Sequence, residues 1–537
     1  MKKPTVISLT LSLFVLIAAS CTQQSSSGED TQLGDLHHSF SISEKASASF
    51  DQGLLLLHSF EYDDANEAFQ KAIEADSDEL MGHWGLAMTH YRALWGLQDV
   101  EAGRKVIQAV GETKEARMAK AENQLEAAFW EGVEILYGEG ELDERNQRYA
   151  DHMAGVYEAN PDNQEVAAFY ALGLMWAGYT NQDNLNKSAE VVAGIIAENP
   201  THPGALHYMI HANDDPEYAQ IALTAADKYA TVAPDASHAL HMPSHIYVAL
   251  GMWDKVVSSN IASYQASLHR MEAKGLGGKE RGYHAMAWLH YGYLQTGEYQ
   301  KAADLLAEII GYHQDSTASK SYLITMQNEQ RIEAGYWPEG LIPQQVDYAS
   351  LGLSEKSAMH FFNSLLAFDK KDVGAIQLEI EGLNRQLSKA SLLVNDEGIA
   401  MCSAGPTRYA PTKEGLKKTQ VVIHQMEALL AQLKGDAALT EERLAKATQL
   451  EGECSYDAGP PFIAYPSFEQ YGDWLLAQSR PDEALTQFNQ SLTNRKNRNK
   501  ALRGKLAALE ALGRTDEAKE VRAVIVQFTS AQKVAAR

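Results

Sequence analysis

Cysteine is nearly absent: three residues, Cys21, Cys402 and Cys454, in a chain of 537. A disulfide framework is therefore excluded, as is a zinc site built on paired CxxC motifs. Positive charge is also short, with 46 Lys and Arg against 71 Asp and Glu and a net charge of −25. Such a surface repels phosphate backbones and excludes nucleic acid as a natural partner. Proline is scarce, at 15 residues, while 45% of the chain is hydrophobic, which excludes a mostly disordered polymer. Missing too are a nucleophile elbow, a phosphate-binding glycine loop and a dinucleotide fingerprint, so those enzyme classes have no support.

The one long apolar run stands at the start, MKKPTVISLTLSLFVLIAASC. Two lysines, an apolar stretch and small residues make a secretory leader over residues 1–20. The small residues ending at Cys21 resemble a bacterial lipobox, which implies a lipid anchor on Cys21. Thr22 in place of aspartate points to the outer membrane, facing the periplasm. Loss of Lys2 and Lys3 with the leader would take the charge to −27. The polar residues 21–40 then read as a flexible tether in which His37 and His38 are solvated. In an oxidising compartment Cys402 and Cys454 either pair or remain separate buried thiols.

At this length the chain needs two domains or an elongated array of repeats. The repeat is visible around the histidines. His207 recurs 34 residues later as His241, His211 as His245, Leu206 as Leu240 and Pro200 as Pro234. A 34-residue period of paired helices is the tetratricopeptide signature. Counting Ser237 as position 1 places Leu240, Ser244 and Tyr247 at positions 4, 8 and 11, the large, small and tyrosine sites of that pattern. The expected fold is all-α, a right-handed solenoid of antiparallel helix pairs. Residues 41–313 form the first array, 314–464 an irregular helical region with two long loops, and 465–537 the last units.

In that register His238, His241 and His245 take positions 2, 5 and 9, and His207 and His211 take 5 and 9 of the preceding repeat. His284 takes position 2 of the repeat that follows an insertion at residues 271–282. In proteins of the tetratricopeptide family those positions line the concave groove. Six histidines thus converge on one stretch of it. Neutral imidazole is the commonest transition-metal ligand, and a pair at i, i+4 grips one ion. Asp214 and Asp215 are candidate ligands or acceptors for the outer imidazole hydrogen. Tyr208, Tyr247, Ser244 and the more distant His58 are candidate ligand-binding groups, whereas His83 and His90 read as packing residues. Pro243 either interrupts the second histidine helix or begins it. The sequence predicts a bound transition metal, copper or zinc. It leaves open a sequestering site with a small ligand or protein partner, a metal-dependent enzyme, and a metal-free peptide seam.

The segments HPGALHYMIHANDDP, HALHMPSHIYVALGMW and YHAMAWLHYGYLQTGEY, with an early LLLLHSFEYDDA and a late AGPPFIAYPS, resemble an uncharacterised bacterial group of tetratricopeptide lipoproteins. The resemblance covers most of the mature chain and implies the fold; it supplies no reaction. The loops DEGIAMCSAGPTRYAP and ECSYDAGPPFIAYPS have the length and composition of lids.

Overall fold

A ring wedged between two glycines sets the helix spacing at both ends of the chain. Phe69 lies 16 residues from Gly53 and from Gly85, and a Cβ on either glycine would meet the ring at 2.8 or 2.3 Å. Phe488 repeats the arrangement, again 16 residues from each of Gly472 and Gly504, with approaches of 2.7 and 2.3 Å. Only an absent side chain lets three successive helices close on one aromatic. The computed structural model describes residues 32–95, 97–178, 181–312, 316–394 and 410–535. It is an all-α, tetratricopeptide-like solenoid in which each helix packs on its neighbours in the chain. The only strands among the described residues are the two-residue pair Tyr91–Arg92 and Leu97–Gln98. No described helix is long and apolar enough to cross a membrane.

Capping explains the helix starts. Asn163 accepts from the backbone N–H groups of Glu165 and Val166, and Asp99, Asn123 and Asp372 cap their own helices likewise. Stacking continues through the described part of residues 316–451, and the expected irregular helical region holds long paired helices such as Val373–Ser391 and Lys413–Lys434. Their lengths, 19 and 22 residues, break the 34-residue period without breaking the architecture. The expected insertion is shorter than predicted, because Trp253–Lys274 runs into it and leaves residues 275–282 as the connection.

The tether also differs from expectation at its end. Leu33 and Phe40 are buried, and His38 is not solvated: its Nε2 lies 2.8 Å from Asp51 and its ring stacks on Phe40. Apolar residues within a polar stretch dock where a helical surface offers them cover. Cys21, Cys402 and all of the first long loop but Ala410 and Pro411 lie outside the described residues. Cys454 donates its thiol to the Leu450 carbonyl at 3.3 Å, and burial pushes that thiol up to about 12.

The last units turn back onto the histidine repeats. Lys496 donates to the Pro216 carbonyl at 2.7 Å, the Trp253 indole donates to Asn497 at 2.7 Å, and the Asn499 N–H reaches Gln295 at 2.8 Å. Gly251, at φ +68°, ends the helix Pro243–Leu250, and Lys496 O lies 2.3 Å from where its Cβ would stand. Arg498 is fully buried between Glu333, Glu469 and the Tyr291 hydroxyl, which fixes this return.

Candidate metal centre

The helix Pro203–Ala212 presents His207 and His211 one turn apart. Ser237–His241 supplies His238 and His241, and Pro243–Leu250 supplies His245. Met242, between them, keeps helical angles of φ −52° and ψ −38°. Direction is therefore retained across Pro243, and His241 lies on the helix rather than on an entry loop. Tyr283–Gln295 brings His284.

The structure brings all six imidazoles together, but as two groups of three. His207, His211 and His238 form an inner group; His241, His245 and His284 form an outer one. Within each group one nitrogen per ring lies within 4.8 Å of the others. The groups adjoin, with ring centroids 6.2 Å apart for both His238–His241 and His211–His245.

The outer group's geometry is the more telling. Asn260 donates its amide N–H to the Val256 carbonyl at 2.8 Å, so its Oδ1 faces His241 Nδ1 at 2.7 Å and accepts from it. Asp214 accepts from His245 Nδ1 at 2.6 Å. Both Nδ1 atoms carry hydrogens, which turns both Nε2 atoms inward, 3.1 Å apart. Two lone pairs at that distance repel unless a proton or a cation lies between them. With metal–nitrogen bonds of about 2.0–2.1 Å, two imidazoles on one ion lie about 2.9 Å apart at a right angle and about 3.3 Å apart in a tetrahedron. The observed separation falls between these. His284 completes the group at its exposed edge, its Nδ1 2.7 Å from the Tyr322 hydroxyl.

The inner group is the more enclosed: His207 and His211 are buried and His238 is partly exposed. His207 donates from Nδ1 to the His58 carbonyl at 2.7 Å, and its buried Nε2 meets no hydrogen-bond partner among the described residues; the same holds for His238 Nε2. Phe60 closes over the rings, its centroid 4.3, 5.7 and 5.8 Å from those of His207, His211 and His238, with Trp95 5.5 Å from His238. Burial pushes His207 down to about 3, and burial with mutual repulsion holds His211, His238 and His241 well below the usual imidazole range. These rings stay neutral, the form that ligates metal.

A third cluster, His58, Glu165 and His202, was not foreseen as a unit. It does not fit a metal. His202 Nδ1 accepts the Ala205 N–H at 3.2 Å, so its hydrogen is on Nε2, which points at Glu165 from 3.3 Å. His58 Nε2 lies 2.8 Å from the same carboxylate and its Nδ1 2.9 Å from the Tyr208 hydroxyl. Burial pushes the Glu165 carboxyl up, but the two imidazoles outweigh it and hold it well below its usual range. The cluster is a buried carboxylate with its donors, and it fixes the His58 backbone that orients His207.

The other expected residues separate. Asp214 and Ser244 adjoin the centre, the latter donating to the His241 carbonyl at 2.7 Å. Tyr208 belongs to the third cluster, and so does the His58 side chain. Asp215 faces away and accepts the Glu217 N–H at 2.8 Å in a local turn. Tyr247 donates to Asp227 at 2.7 Å on the opposite helix face, as a residue two positions after His245 must. Trp288 was missed, though it stands one turn after His284; its centroid lies 4.7, 4.5 and 5.4 Å from those of His241, His245 and His284. The loop at 452–466 lies against it, with Gly459 so close that a Cβ would stand 2.3 Å from the indole.

No family model matches the chain, and no curated protein does. Among solved structures it is similar to a human IFIT1 dimer with m7Gppp-AAAA, at 13% identity over 91% of this chain and 100% of that one, TM-score 0.34. Yeast Tom70 follows at 12% identity, 88% and 90% coverage and TM-score 0.28. The TPR domain of P58(IPK) gives 12%, 88%, 99% and 0.21. Scores this low say nothing about the site.

Proposed function

We propose that this protein binds transition-metal ions, copper or zinc, in a two-ion centre held by His207, His211 and His238 and by His241, His245 and His284. The observation that carries the reading is the 3.1 Å approach of two inward Nε2 atoms whose outer nitrogens are committed to Asn260 and Asp214. Outer partners of that kind orient ligating histidines and fix their tautomer. Around the centre, the helical array is a scaffold suited to a protein or small-ligand partner. Cys21 carries a lipid that holds the chain at the outer membrane, facing the periplasm; Cys21→Ser would move it to the soluble fraction.

Metal analysis of the chain without its leader, loaded with Cu(I) and desalted, tests the centre. Wild type retains copper, while His207→Ala and His245→Ala each retain about one ion fewer. Unchanged copper in both folded variants overturns the reading. The exposed edge at His284 favours a second reading, in which the outer ion activates water or oxygen for catalysis, and turnover is its measure.

A further inference from the structure

Taking the two-ion reading as given, we infer that the groups differ in the ions they accept: the inner one takes monovalent copper alone, the outer one a divalent ion as well. The difference lies behind the rings. In the outer group Asp214 stands directly on His245 Nδ1 at 2.6 Å, its side chain 2% exposed. Its other oxygen is buried without a hydrogen-bond partner among the described residues, so its charge is undiluted by a second donor. In the inner group the corresponding position on His207 Nδ1 is a neutral carbonyl, that of His58. The Glu61 carboxyl accepts from the His238 backbone N–H at 2.8 Å rather than from its ring.

The cost of burying an ion grows as the square of its charge, so a dication costs about four times what a monocation costs in the same surroundings. Phe60 and Trp95 make the inner surroundings apolar. Three neutral imidazoles there supply no compensating charge, and Phe60 stands over them where zinc would need a fourth ligand. A monovalent copper ion is satisfied by three. The outer group differs on both counts, having a carboxylate behind one ring and an edge at His284 that meets solvent.

Anaerobic titration of the full chain without its leader separates the two. Cu(I) should bind at two equivalents and Zn(II) at one. Asp214→Asn should weaken the zinc site at least tenfold and leave one Cu(I) bound tightly. His207→Ala should remove one Cu(I) and leave zinc unchanged; His238→Ala serves the same purpose if the first variant does not fold. Two zinc ions bound with similar affinity, or zinc lost with His207 or His238, overturns this inference and leaves the two-ion centre standing. A chain that takes up neither ion overturns both.

Discussion

Phe60 occupies a left-handed conformation that the described residues mostly give to glycine, and otherwise only to Lys371, Ser479 and Asn497. Its φ is +56°, and the turn it makes, with the Glu61 N–H bonded to the Leu56 carbonyl, recurs at Gly251, Gly297 and Gly513. A bulky residue there is strained by about 1–2 kcal/mol. The ring offsets that strain by covering His207, His211 and His238 while itself only 2% exposed. Phe60→Ala should destabilise by about 3–5 kcal/mol through lost burial. Phe60→Gly should be milder by about 1 kcal/mol, because glycine accepts the left-handed turn. Urea unfolding measures both, and a greater loss for glycine would discard the strain account. Each variant should also release inner-site metal faster in chelator competition, since the cover is gone.

The helix that carries His238, His241 and His245 is held together by hydroxyls where Pro243 breaks its ladder. The Leu240 carbonyl accepts from Ser259 at 2.5 Å and the His241 carbonyl from Ser244 at 2.7 Å, while the His245 N–H bonds the Met242 carbonyl in a tighter turn. That local tightening accompanies the convergence of the two Nε2 atoms. Pro243→Ala should let the regular ladder return, raising Tm while weakening metal at the outer group alone; an unaltered outer affinity would show that the break is incidental. Much of this element was legible in the sequence, because the 34-residue phase places equivalent histidines on equivalent faces. The division into two groups was not. His238 and His241 are about 60° apart around one helix, so each meets a different neighbour, and spacing within a helix does not say which. His202 gave no periodic signal, since it serves as a helix cap, and Phe60 acts through a turn that sequence periodicity does not mark.

Across the whole molecule, Arg498 ties three distant parts together by pairing with Glu333 and Glu469 beneath Tyr291, all buried. Arg498→Met should cost about 3–5 kcal/mol, because two carboxylates would remain without their cation. Burial, with Glu469 adding and Arg498 opposing, pushes Glu333 up to about 7. Between its ordinary 4.5 and that value the folded chain holds a proton that the unfolded chain has released. This contribution to stability is therefore full below 4.5 and lost as pH rises to about 7. Glu333→Gln should flatten that part of a Tm-against-pH curve, and an unchanged slope would assign the dependence elsewhere. The return of Lys496, Asn497 and Asn499 onto the histidine repeats also orders events in time. Trp253 waits 244 residues for its acceptor. A chain emerging from its N-terminus displays every histidine long before the segment that seats their helices has been made. On the proposed function, an ion met early would find loose ligands, and firm capture would belong to the finished chain.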